Sequence, residues 1–521
     1  MDLALETVGT NGKFQKVVTG IILTVASMAL LSGIAFPFLT KKPDLLCREK
    51  GNELDSYHAC HEDETCNNVL YDTIKNHEKS LFNMAYEYEI FCEDAYLSGL
   101  IGSSFFFGGI VGSVVFSPIP DLYGREKIYK ILLFCVFATH LSFLLSTSKL
   151  MIPVINFLAG VVCYSYSMST LIITEYLDRR YSGIIMSVNN AIFPFTGLIL
   201  AFFYMFINNW RIMYAITSLM TLTSALLGYK YFLESPRWLN SKNRMNDCFE
   251  TLKKIAIVNG KEDSFKKYLE ANSDLVKSSN ELQEVKKSYN LWEIINLKSQ
   301  KKNLLLLIYI WFAGGFCFYG LILNIEHLGG DIFVDSIITF TGEIISELCS
   351  GYLADEFGRV IVLELSGAFG GIAFIIYELV SGPDWLKSAL VFATSFGFSA
   401  TFNLIFIYSP ELFPTTIRST VMGFLFLMSR LGALMVPAIS AIIPHNAIFF
   451  GVLALLSSYC STMLPETMGT EIPDDVPESK RRHSFLSQSS GNSNKDGRSF
   501  PSFRVSRKSI VSDFYFKVET N

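Results

Sequence analysis

Three charged side chains stand inside runs that are otherwise apolar. Glu343 and Glu347 lie in the run 333–353, and Arg430 lies in the run 419–442. The glutamates are one helical turn apart and share a face. A guanidinium keeps its charge, and in mid-helix it costs at least ~2.5–3.5 kcal/mol to insert into a bilayer. Such a residue faces a cavity or a partner, and it marks a place where ions are handled. Two acids attract an ammonium and one arginine attracts a carboxylate, so a zwitterion would satisfy both signs. An internal pair of Arg430 with Glu343 or Glu347 is the structural alternative, and a substrate's own charges could open it. Trp311, Phe318 and Tyr319 share one helical face of the run 303–324. A ring face attracts a cation by ~0.5–2 kcal/mol. Ordinary helix packing competes with that role, and Phe316, Phe402 and Tyr408 are read as packing.

These groups recognise ions; they do not make or break bonds. The chain has no G-x-x-x-x-G-K-[ST], H-E-x-x-H or G-x-S-x-G run, which argues against an ATP-driven pump and a membrane hydrolase. It is read as a non-enzyme without a cofactor or metal.

A second set of charges recurs. PDLYGRE at 120–126 and ADEFGRV at 354–360 each carry Asp, two residues, then Gly-Arg. Glycine permits the tight turn, and Asp and Arg can pair with each other or with a neighbouring helix end. Asp121, Gly124 and Arg125, with Asp355, Gly358 and Arg359, are therefore expected to form a gate that latches one state of the molecule. A plain interfacial anchor is the alternative.

Helices that cross a bilayer must position these residues. Half of the 521 residues are hydrophobic and mean hydropathy is +0.35. Twelve apolar runs have the length that ~30 Å of hydrocarbon requires: 17–38, 97–117, 128–147, 151–174, 184–207, 212–232, 303–324, 333–353, 360–380, 386–408, 419–442 and 445–464. Asp121 and Asp355 are 234 residues apart. A motif recurring after the second helix of each half implies a duplicated six-plus-six bundle. The expected organisation is an N-terminus 1–16, a first span 17–38, a loop 39–96, the rest of the first half 97–239, a linker 240–302, a second half 303–467 and a tail 468–521. Lys13, Lys16, Arg125, Lys127, Lys130, Arg359, Arg418 and thirteen Lys/Arg of the linker fall on one side. That side is expected to be cytoplasmic and to hold both termini. The loop 39–96 is then extracellular or lumenal. The net charge of −5 offers no basic surface for nucleic acid.

Cys47, Cys60, Cys66 and Cys92 lie in that loop, and four thiols in an oxidising compartment suggest two disulfides with three possible connectivities; free thiols or a metal site are the alternative, disfavoured because the spacing matches no common zinc pattern. In the linker, 246–261 places Phe249, Leu252 and Ile255 at helical spacing and stops at Asn-Gly. A second helix is expected over 280–296. The tail is read as disordered. Its Arg481-Arg482-His483-Ser484 resembles a basophilic kinase site, with incidental serines as the alternative.

Taken in order, these residues resemble the major facilitator superfamily and, within it, the organic cation, organic anion and carnitine transporters. The resemblance rests on the two Asp-x-x-Gly-Arg loops and the cysteine-bearing loop after span one. It rests also on Glu-Ser-Pro-Arg-Trp-Leu at 234–239, Trp311-Phe312, Tyr319-Gly320-Leu321, Glu-Leu-Phe-Pro-Thr-Thr-Ile-Arg at 411–418, and Leu-Pro-Glu-Thr at 464–467. It covers nearly all of 10–475. Departures mark a divergent member: Ser117, Leu122, Glu126, Glu356, Val360, Asn156, and no Asn-x-Ser/Thr in the large loop. The resemblance implies a plasma-membrane carrier of small organic ions working by alternating access. It adds Glu234, Arg237, Glu411 and Arg418 to the gate. Arg430 resembles a position that is basic in anion and carnitine transporters, and Glu343 one that is acidic in cation and carnitine transporters. Glu347 falls where anion transporters tend to have Lys. The implied substrate is a cation or zwitterion, with an organic anion as the alternative. A sugar porter and a non-transporting receptor on a carrier fold are further alternatives.

Overall fold

The computed structural model of the chain describes residues 2–9, 12–49, 58–60, 71–76, 80–176, 179–271, 298–325, 328, 330–413, 415–442 and 446–468. Among these residues, twelve helical segments occupy the expected runs. They are Lys13–Ile34 continued by Phe36–Thr40, Tyr96–Phe116, Arg125–Leu144, Met151–Val162 continued by Tyr164–Tyr176, Arg179–Phe206, Trp210–Tyr231, Lys298–Leu323, Ile332–Phe357, Arg359–Leu379, Asp384–Leu412, Thr415–Ile442 and Asn446–Thr462. They are called spans one to twelve below. Ten are long and apolar enough to cross a membrane. The others are span eight, which carries Asp335, Glu343 and Glu347, and the 17-residue span twelve.

The two halves pair their helices alike. Span two packs on span four as eight packs on ten, three on six as nine on twelve, and one on five as seven on eleven. Lipid tails offer no hydrophobic drive for helix association, so small residues do this packing by letting backbones approach. An added Cβ at Gly108 would lie 2.0 Å from the Phe157 carbonyl oxygen, and one at Gly160 would lie 2.0 Å from that of Phe105. Gly315 and Gly432 likewise bring spans seven and eleven together.

The halves meet crosswise, two against eleven and five against eight. These contacts lie from the midplane towards the end of the bundle that bears residues 39–96, the loop face. Ser103 Oγ donates to the Leu434 carbonyl at 3.3 Å, and Gly102 approaches Phe36 and Pro437. Gly197 meets Phe340, and the rings of Phe38 and Phe333 stack with centroids 6.3 Å apart.

Residues 39–96 add strands to the expected all-α fold. β1 (Leu45–Glu49) pairs antiparallel with β2 (His58–Ala59) on one side and β3 (Tyr71–Lys75) on the other. Asn83 Nδ2 ties this unit to span one through the Phe38 and Lys41 carbonyls. The Glu87 carboxylate accepts from Arg211 of span six at 2.6 Å.

At the opposite end, the linker face, helix Met245–Val258 buries Cys248, Leu252, Ile255 and Ala256, while Phe249 is half-buried. It stops at Asn259-Gly260, where Gly260 has φ +66°. Helix Glu262–Ala271 follows. The helix Asp2–Val8 docks on both. Burial of Leu5 and Val8 contributes ~1.5–3 kcal/mol for each fully covered side chain. Asn259 completes the joint: its Nδ2 donates to the Val8 carbonyl and to Gln15 Oε1, both at 2.9 Å, and its Oδ1 accepts from the Phe14 N–H. The helix expected at 280–296 and the kinase-site resemblance at 481–484 lie outside the described residues.

Candidate functional site

Spans four, seven, eight, ten and eleven converge near the midplane. Arg430 is 8% exposed. Among the described residues no carboxylate pairs with it. Its guanidinium carbon lies 4.8 Å from the ring centroid of Phe426, one turn away on span eleven, and 5.6 Å from that of Tyr319 on span seven. Nη1 donates to the Tyr319 hydroxyl at 3.3 Å. Two ring contacts and one neutral acceptor leave part of the guanidinium's five-donor capacity for a ligand.

Tyr319 links this charge to the acids. It lies within electrostatic reach of both Arg430 and Glu343, while Tyr166 of span four lies within reach of both Glu347 and Arg430. Glu343 is 1% exposed, and among the described residues its Oε2 has no hydrogen-bond partner. Aromatic rings close the space around these charges. Phe318 stacks on Phe402 with centroids 4.7 Å apart and planes 9° from parallel. Tyr319 packs edge-on against Phe402, Phe106 and Phe193. A narrow pocket runs from Arg430 towards the linker face, between Gly109 and Ser113 of span two, Cys163 and Ser167 of span four, and Phe426.

Of the residues read from sequence, Arg430, Glu343, Glu347, Phe318 and Tyr319 come together. Trp311 is set apart. Its indole N–H donates to Ser409 Oγ at 2.9 Å, and Phe406 lies between it and Phe402. Phe402, expected to serve only as packing, forms one wall of the aromatic cluster. The structure adds Tyr166, Phe426, Phe106 and Phe193 to these residues. Phe426 had one signal, its position four residues before Arg430. The others come from different helices, and no local spacing points to them.

The two Asp-x-x-Gly-Arg loops fold alike. Gly124 and Gly358 both have φ +105°, a conformation that L side chains rarely adopt. Glu234 accepts from the backbone N–H groups of Arg125, Glu126 and Ser235. In the second half Glu466 takes that place, accepting from Arg359, Val360, Thr467 and Met468. A Cβ on Gly124 would sit 2.3 Å from Glu234 Oε2, and one on Gly358 would sit 2.9 Å from Glu466 Oε2. Burial raises the Glu234 carboxyl above its ordinary range. Burial also works to raise Glu466, but its four N–H donors together hold it below that range. Arg125 pairs with Asp121 and, at 3.2 Å, with Glu175 of span four. Arg359 pairs with Asp355 at 2.6 Å and with Glu411 of span ten at 3.4 Å. Glu175 and Glu466 are thus additional members of the two networks. Glu411 faces Arg359, and Arg418 instead turns back to the Phe413 carbonyl. Arg237 sits in the helix Pro236–Ser241 that follows Glu234. The ion pairs seen among the described residues of these networks stay within one half, rather than bridging the halves.

Cys47 and Cys60 form a disulfide that staples β1 to the residue after β2. Cys92 is also disulfide-bonded, and Cys66 lies outside the described residues. Asn156, at a departure from the family pattern, donates to the Ile101 carbonyl at 2.6 Å and ties span four to span two.

The family model described as Major Facilitator Superfamily matches residues 79–437. The organic cation/carnitine transporter 2 of Rattus norvegicus is 26% identical over 445 residues, covering 82% of this chain and 77% of that protein. The organic anion transporter 3 of Sus scrofa is 27% identical over 405 residues, covering 75% and 73%. The xylose transporter XylE from E. coli, solved in an inward open conformation, superposes with a TM-score of 0.60 at 16% identity, over 88% of this chain and 97% of that one. The duplicated bundle, the paired Gly-Arg loops and these similarities lead to one conclusion: the chain belongs to the Major Facilitator Superfamily, an integral multi-pass membrane transporter and a divergent relative of the organic cation, carnitine and anion transporters.

Proposed function

We propose that the protein is a secondary carrier of small organic cations or zwitterions, binding them at the midplane between Glu343, Glu347 and Arg430. The observation that carries this reading is an acid and a base both within electrostatic reach of one tyrosine, beside a cluster of aromatic rings. An ammonium would sit against Phe318 and Phe402 near the glutamates, and a carboxylate would use the remaining donors of Arg430. The inter-half contacts at the loop face, with a pocket extending towards the linker face, support an inward-facing state in which the linker face is cytoplasmic. The disulfides of residues 39–96 support an extracellular setting for the loop and a plasma-membrane location. The gate networks act inside each half: they stiffen the half that rocks. An organic anion is the second reading, favoured by an Arg430 that no carboxylate pairs among the described residues. Uptake of a labelled quaternary ammonium, a carnitine-like zwitterion and an aromatic carboxylate, each against vector control, tests the choice. Accumulation of the carboxylate alone would contradict the cation and zwitterion reading.

A further inference from the structure

The linker helix Met245–Val258 buries one face and leaves the other bare. Its buried side, Cys248, Leu252, Ile255 and Ala256, shares one continuous apolar core with helix Asp2–Val8, with span one and with Trp238 and Leu239. Its other side exposes Lys253, Lys254, Ile257 and Val258. Lys253 and Ile257 are one turn apart, as are Lys254 and Val258, so the four share a face. Lys261 follows the helix stop, and an added Cβ on Gly9 would lie 3.7 Å from its Cγ. The acids of the helix, Asp247 and Glu250, lie nearer its start.

Ile257 is 53% exposed and Val258 is 44% exposed. Lysines near a helix C-terminus complement its dipole, but two bare aliphatics beside them gain nothing from it. The ion pairs of this region among the described residues join Arg244 to Asp247 and Lys266 to Glu262, and none uses Lys253, Lys254 or Lys261.

The patch is held at the height where the chain enters the bilayer. Asn259 directly follows Val258. Its Oδ1 accepts from the Phe14 N–H and its Nδ2 donates to Gln15 Oε1, both at 2.9 Å, and both partners lie in the first turn of span one. The exposed side of that helix runs Lys13, Lys16, Val17, Gly20. Charge gives way to apolar surface there within about one turn, ~5.4 Å, of the Asn259 bonds. Five lysines, Lys13 and Lys16 with the three of the linker, stand within about two turns of Asn259 along their helices.

We infer that this patch is a docking surface for the anionic phospholipid headgroups of the leaflet on the linker face. Phosphate and carboxylate oxygens meet the lysines, while Ile257 and Val258 enter the boundary between headgroups and acyl chains. An anionic lipid is the occupant because it supplies negative charge and an apolar layer together, at the height of the patch. A polar anion would leave the aliphatics in water. Since the linker helix shares its core with span one, lipid held here fixes the first half at the surface while the second half rocks against it. That this leaflet is the cytoplasmic one rests on the orientation proposed above; the affinity for anionic lipid does not.

The test places the full chain in nanodiscs whose two leaflets are identical, so orientation does not enter. The probe is a photoactivatable phosphatidylserine, run against a photoactivatable phosphatidylcholine, with labelling of residues 245–261 read by mass spectrometry. The serine lipid should label this segment several-fold more than the choline lipid. The triple variant Lys253→Gln, Lys254→Gln, Lys261→Gln should lose most of that excess at an unchanged melting temperature, and the same three lysines changed to Arg should keep it. Equal labelling by the two lipids, or an excess that survives the triple Gln variant, overturns the proposal. A segment that neither lipid labels also overturns it and assigns the patch to water or to an acidic protein. If the lipid result holds but Lys253 and Lys254 react with a membrane-impermeant amine reagent added outside intact cells, the lipid site stands and the orientation reading fails.

Discussion

Arg430 sits against two rings and beside the Tyr319 hydroxyl, and Glu343 lies within electrostatic reach of the same tyrosine. The presence of these charges was legible because ionisable residues are rare inside apolar runs. Their wall was not. Phe402 looks like any aromatic of a membrane helix, and only the placement of span ten stacks it on Phe318. Phe402→Ala should remove one cation–π partner of ~0.5–2 kcal/mol and raise KM for a quaternary ammonium ~2–30-fold with little change in surface expression; an unchanged KM removes Phe402 from the site. The gate carboxylates differ in a way that sequence does not reveal. Glu234 is raised by burial, so its charge opposes folding at neutral pH. Glu466 is held low, so its charge contributes stability that is present above the ordinary carboxylate pKa and lost as pH falls. Glu466→Gln should therefore lower the melting temperature at neutral pH more than Glu234→Gln, and the reverse order contradicts this account.

At the scale of elements, the twelve spans were readable from hydropathy and the two halves from the repeated Asp-x-x-Gly-Arg. Positive φ at Gly124 and Gly358 explains the glycine of that motif. Either residue changed to Ala should cost most of the surface expression, since a Cβ there meets a carboxylate oxygen as well as backbone strain. Other joints were not readable. The docking of helix Asp2–Val8 depends on Asn259, some 250 residues away, and Asn-Gly in the sequence announces only a helix stop. Asn259→Ala should expose residues 2–9 to limited proteolysis while the membrane core stays intact; unchanged cleavage contradicts the clamp. The strands of residues 39–96 carry little sequence signal, since β2 has only two residues, too few for any alternation to show.

For the whole molecule, the inter-half contacts lie from the midplane to the loop face, with Ser103 against Leu434 at one seam and Gly197 against Phe340 at the other. A carrier must part these seams to admit substrate from that side. The double variant Ser103→Cys, Leu434→Cys should therefore crosslink under oxidant and stop uptake, and reductant should restore it. Uptake that continues with the crosslink formed would show that the seams need not open. The central claim is that the charges about Tyr319 select the substrate. Its most direct test is uptake of the quaternary ammonium, zwitterion and carboxylate probes by the wild type and by Arg430→Asp at matched surface expression. The account predicts uptake of the zwitterion or the cation by the wild type, and a shift of preference towards the cation, or loss of all uptake, in the variant. Unchanged kinetics for all probes would take Arg430 out of the site and contradict the claim.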